Sequence, residues 1–86
     1  MKTIIKLSMT SCIPCQQLKP IFEDVVGNLT DIKVVDIDVE EHPEVARNYQ
    51  VRAVPTVIVT DENDNILAMK SGMMSKEQLT NLIKEC

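Results

Sequence analysis

The apolar positions of this chain switch spacing as they run along it. TIIKLSM at 3–9 is a run of β-formers that stops at the polar Thr10 and Ser11, and it reads as a strand. From Leu18 the period changes: Leu18, Ile21, Phe22, Val25, Val26 and Leu29 fall at i, i+3, i+4, i+7, i+8 and i+11. That is one face of a helix, predicted from about Cys12 to Val26 or beyond. Pro20 lies inside it, without an N–H and with a ring that crowds the preceding turn, so a kink is expected. Gly27 and Asn28 are stop signals.

IKVVDIDV (32–39) is a second strand, and HPEVARNY (42–49) a short helix whose proline suits a first turn. PTVIVT (55–60) and NILAMK (65–70) are strands on either side of the polar turn DENDN, which makes a hairpin. Ser75 and Gln78 are spaced as a capping box, and Leu79, Leu82, Ile83 and Cys86 continue at helical intervals. The order is β-α-β-α-β-β-α. Its first half needs parallel pairing through crossovers, and the hairpin adds an antiparallel edge. The expected fold is α/β: one four-stranded mixed sheet flanked by helices, in a single domain over residues 1–86.

Composition narrows the functional classes. Phe22 and Tyr49 are the only aromatic residues, so Ile, Val, Leu and Met must build the core. A net charge of −4 offers no basic footprint for nucleic acid or acidic membranes. No apolar run approaches the roughly 20 residues that span a bilayer. MKTIIKLSM superficially resembles a signal peptide, but Lys6 interrupts it and no cleavage site follows a long enough apolar region. A cytoplasmic monomer is therefore expected. Three cysteines are too few for a disulfide scaffold.

Two of them stand in SCIPC at 11–15. Alone, this CxxC is compatible with a metal half-site, a structural bridge or a redox pair. The predicted elements place Cys12 in the turn after the first strand, at a helix N-terminus, where unpaired N–H groups and the helix dipole favour negative charge. Thiolate is the nucleophilic form of cysteine. In a redox reading Cys12 attacks a partner's disulfide and Cys15, about one turn on, resolves the mixed disulfide. Pro14 stiffens the intervening turn.

With SCIPC in view, the chain resembles the thioredoxin family over nearly its whole length. SCIPC is similar to that family's active-site loop, with Ile-Pro for Gly-Pro. Pro20 matches the proline of its active-site helix. YQVRAVPT (49–56) resembles its Tyr-Gly-Ile-Arg-Gly-Ile-Pro-Thr stretch, and SGMMSKEQL (71–79) its final-turn glycine and following helix. The first strand and helix of full-length thioredoxins have no counterpart, so the chain resembles a minimal, glutaredoxin-sized form. The resemblance implies reduction of disulfides in protein substrates, with electrons from a thioredoxin reductase or similar donor and no bound cofactor beyond the Cys12–Cys15 pair. It also implies a cis peptide at Val54-Pro55 opposite the cysteines and a substrate groove of Ile13, Pro14, Val54, Pro55, Gly72 and Met73. For Met73 and Met74, packing in the core or at an edge is the competing expectation.

Two departures stand out. The family places a buried aspartate six residues before the first cysteine and pairs it with a lysine on the next strand. Here Lys6 and Asp36 hold those positions with the charges exchanged. A lysine inside a strand is costly unless paired, so a Lys6–Asp36 contact is expected, modulating proton transfer at Cys15. Ser8 and Ser11 replace the family's two tryptophans, which weakens the apolar platform for substrates. A glutathione-dependent, glutaredoxin-like reductase is the nearest alternative, although AVP and SGMMS lack that group's Thr-Val-Pro and diglycine segments. MTSCIPC also resembles the metal loop of copper-chaperone domains, but the spacing differs by one residue and their order is β-α-β-β-α-β. His42 is a poor metal ligand with no second histidine, and Cys86 reads as a terminal thiol.

Overall fold

The structure, a computed structural model, describes residues 1–84. Its elements are β1 (Lys2–Ser8), α1 (Ile13–Gly27), β2 (Ile32–Asp38), α2 (Pro43–Asn48), β3 (Thr56–Thr60), β4 (Ile66–Ser71) and α3 (Lys76–Lys84). This is the expected β-α-β-α-β-β-α order and differs from that of copper-chaperone domains. Boundaries shift by a residue or two: α1 begins after Cys12, and Pro55 lies just outside β3. Cys86 lies outside the described residues.

The four strands form one sheet in the order β2-β1-β3-β4. β1 pairs parallel with β2 and antiparallel with β3, and β3 pairs antiparallel with β4. β3 is buried along its full length, as its unbroken TVIVT run requires. Strand alternation divides β1 between two faces. Ile4 meets Leu18, Phe22 and Val25 of α1 and Leu79 and Ile83 of α3, with Val57, Val59 and Met74 in the same cluster. Ile5 and Leu7 point the other way, where they join Ile58 and the side chains around α2, among them Val45, Tyr49 and Val51.

Local chemistry fixes the ends of these elements. The Ser75–Gln78 capping box forms in both directions: Gln78 N–H donates to Ser75 Oγ at 3.1 Å, and Ser75 N–H to Gln78 Oε1 at 2.9 Å. At the other end of α3, Lys2 Nζ donates to the Ile83 carbonyl at 3.0 Å, satisfying a helix-end acceptor. Lys76 Nζ and Asp24 Oδ2, 2.7 Å apart, link α3 to α1. Gly72, with φ of +93°, turns the chain from β4 toward α3, a conformation that side chains with a Cβ rarely adopt.

Candidate active site

β1 ends at Ser8, and the turn that follows is closed by a hydrogen bond from Cys12 N–H to the Met9 carbonyl at 3.2 Å. Cys12 is the N-cap of α1, in extended conformation, with Pro14 in the first turn where its missing N–H costs nothing. Cys15 N–H donates to Cys12 Sγ at 3.2 Å, so the sulfur takes the place that a serine or aspartate oxygen usually fills. An acceptor at this position is better as an anion than as a neutral atom, because the N–H and the aligned peptide dipoles favour negative charge.

Cys12 and Cys15 are joined by a disulfide, with Cα atoms 5.2 Å apart. The two sulfurs are not equivalent. Cys12 is half-buried, whereas Cys15 faces the core with 4% of its surface exposed. Cys12 is the more open of the two residues, and Cys15 is the enclosed one.

The loop before β3 approaches from the opposite side. The Val54-Pro55 peptide is cis, and the Val54 carbonyl oxygen lies 3.7 Å from Cys12 Sγ, within reach of a thiol S–H when the pair is reduced. Gly72 N–H donates to the Pro55 carbonyl at 2.8 Å, and Thr56 Oγ1 lies between the Ala53 carbonyl at 2.7 Å and Ser71 Oγ at 2.8 Å. Of the anticipated groove residues, Val54, Pro55 and Gly72 are thus drawn together by contacts. Ile13 and Met73 join by position, next to Cys12 and Gly72 in the chain, with exposed side chains. Met74, for which the sequence offered packing in the core or at an edge, is buried in the core.

Lys6 and Asp36 are register partners on adjacent strands, with Nζ 3.3 Å from Oδ2. The pair is lopsided: the Lys6 side chain is 5% exposed and that of Asp36 58%. Lys6 Nζ also stands 5.1 Å from the centre of the Phe22 ring, a cation–π distance. Between β1, β2 and the start of α1 opens a cleft of about 270 Å3, lined by Lys6, Cys15 and Asp36 and rimmed by Lys19 and Asp38. The sequence reading overlooked Thr10 and Gln16, which organise this rim. Thr10 Oγ1 donates to Asp38 Oδ2 at 3.1 Å, and Gln16 Nε2 donates to the Thr10 carbonyl at 3.0 Å. Both are polar residues close to the cysteines in the chain, the one signal that could have found them. Among the described residues, no group of three or more His, Cys, Asp or Glu side chains is arranged to hold a metal ion.

A half-exposed sulfur at a helix N-terminus, a buried partner and a facing cis-proline loop reproduce the arrangement anticipated from SCIPC and AVPT. The thioredoxin family model matches residues 1–85. The chain belongs to the thioredoxin family. It is 31% identical to the thioredoxin of Mycoplasmoides gallisepticum over 83 residues, 96% of this chain and 82% of that one. Thioredoxin H2-1 of Oryza sativa is 33% identical over 63 residues, 73% of this chain but 46% of its own length, so the chain spans about half of that relative. Oxidised mitochondrial thioredoxin 3 of Saccharomyces cerevisiae superposes with a TM-score of 0.90 at 26% identity, covering 99% of this chain and 78% of that one. The thioredoxin-like fold expected from the sequence is therefore the fold observed. No described helix is long and apolar enough to cross a membrane.

Proposed function

We propose that this thioredoxin-family protein is a dithiol–disulfide oxidoreductase that reduces disulfides in protein substrates through Cys12 and Cys15. The observation that carries this reading is the asymmetric disulfide at the start of α1, with Cys12 half-buried and Cys15 enclosed. In the reduced protein the Cys12 thiolate, stabilised by Cys15 N–H and the helix end, attacks one sulfur of a substrate disulfide. The Cys12–substrate bond forms, the substrate S–S bond breaks, and the second substrate sulfur leaves as a thiolate that takes up a proton. Cys15, as thiolate, then attacks Cys12 Sγ and releases the first substrate sulfur. Two electrons have passed from the dithiol to the substrate, and the Cys12–Cys15 disulfide has formed.

In this reading Ile13, Pro14, Val54, Pro55, Gly72 and Met73 form the groove that receives the substrate segment, and Lys6 and Asp36 act behind Cys15. The protein works as a monomer in the cytoplasm and is returned to the dithiol by a thioredoxin reductase. Disulfide reduction in insulin tests the activity. The wild type should turn over, Cys12→Ser should fall to background, and Cys15→Ser should accumulate a covalent mixed disulfide. Full activity in Cys12→Ser would sink the reading. Turnover with a thioredoxin reductase should exceed that with glutathione.

A further inference from the structure

The cleft behind the disulfide holds a cation to which the steps above give no defined part. Lys6 is buried, yet its one carboxylate partner among the described residues, Asp36, is mostly in water. Solvent weakens an exposed carboxylate's hold on a neighbour, so Asp36 neutralises the ammonium only in part. Cys15 lines the same cleft and is likewise buried. Burial by itself disfavours a thiolate, because the anion loses its hydration. Resolution of a mixed disulfide nevertheless requires Cys15 in that form. A protonated lysine has three donors and no acceptor, so it cannot take the thiol proton. It can lower the energy of the anion.

We propose that Lys6 acts through Cys15, holding the resolving sulfur as a thiolate, and that Asp36 sets how much of the lysine charge reaches it. Lys6 is then a positioning residue and not a proton carrier, and the proposal rests on the dithiol activity described above. The Cys15 thiol gives its proton to water in the cleft, and its thiolate attacks Cys12 Sγ. The Cys12–Cys15 bond forms as the bond from Cys12 to the substrate sulfur breaks. That sulfur leaves with the bonding pair and is protonated by solvent, and no other oxidant or reductant enters. The remaining charged groups facing the cleft are Lys19 of α1 and Asp38 of β2. Asp38 is engaged by Thr10 Oγ1 and by Glu40 N–H at 2.8 Å. On the β3 side Lys6 is paired with Val57, which carries no charge.

The exchange of charges makes opposite-sign predictions. Titrating Cys15 in a Cys12→Ser background, by the pH dependence of its 13Cβ chemical shift, isolates it from the coupled thiol and from Cys86. Lys6→Met should raise the Cys15 midpoint by about one pH unit, the size expected for losing a nearby opposite charge. Asp36→Asn, at a largely exposed side chain that keeps a hydrogen-bonding oxygen beside Lys6, should lower it by about half a unit, since a repelling carboxylate is removed. In Cys12-containing protein, release of a chromophoric thiol from the Cys12 mixed disulfide should shift its pH profile in the same two directions. Unchanged midpoints, or shifts of one sign in both variants, would overturn the proposal. If Lys6→Met does not fold, the Asp36→Asn shift decides alone. An inactive wild type in insulin reduction would count against the proposed activity, and the titrations would still decide the role of Lys6.

Discussion

Ile13 stands between the two cysteines with 66% of its surface open to solvent. A single exposed apolar side chain is ordinary, but this one lies between the two cysteines, in a chain without tryptophan. In the proposed groove, contact with Ile13 is therefore a large part of the apolar surface available to a protein substrate. Ile13→Ser should raise KM for insulin roughly threefold to tenfold, equivalent to losing about 1 kcal/mol of apolar burial. It should leave kcat and the reduction of a small aromatic disulfide nearly unchanged, and equal losses for both substrates would show that the contact is not used. At this scale the cysteines and the Lys6–Asp36 contact were legible in the sequence, because a CxxC and a charge inside an apolar strand each demand a partner. The division of Met73 and Met74 was not. Which of two adjacent methionines turns inward depends on how the Gly72 turn exits the sheet, and residue type does not report that.

Short segments show where polar side chains replace missing backbone partners. In the DENDN turn between β3 and β4, Asp61 accepts from the N–H groups of Asn63 at 2.8 Å and Asn65 at 2.9 Å and from Asn65 Nδ2 at 3.1 Å. The Asn65 backbone bond, followed by its side-chain bond, holds the Asp61 carboxyl below its ordinary value of 3.8. A group whose pKa is lowered on folding contributes stability above its unfolded value and loses it as pH falls through the folded one. The wild type should therefore lose stability below about pH 3.8 more steeply than Asp61→Asn, as read from urea midpoints across that range. Equal slopes would remove the turn's carboxylate from the account. At the start of α3, Ser75→Ala removes the Oγ that accepts from Gln78 N–H, leaving the Ser75 N–H half of the capping box, and should cost about 1 kcal/mol in the same measurement. The capping box was readable from its spacing, and the hairpin from its polar turn. The irregular pairing between Val59 and Thr60 was not, because a bulge depends on how the strands meet and not on a residue signature.

The whole molecule rests on one well-covered sheet face, where α1 and α3 enclose a cluster shared by β1 and β3. Leu18, fully buried at its centre, should cost about 2–5 kcal/mol when cut to alanine, as measured by chemical denaturation. That is a large part of the 5–15 kcal/mol typical of a domain. The element order was written in the alternation of spacings. The sheet order β2-β1-β3-β4 was not spelled out by the sequence, since periodicity shows which residues are inward but not which strands are neighbours. This order brings the Pro55 loop and the Gly72 turn to the same end of the sheet as Cys12. Thr56 Oγ1 and the Gly72-to-Pro55 bond then tie the two segments to each other. The consequence concerns the entropy of recognition. Two walls fastened together before a substrate arrives lose little freedom when it binds, so a weakly apolar groove need not recover a large ordering cost. For the proposed reduction of protein disulfides, this means that the ordering cost of each turnover falls on the substrate segment and not on the groove.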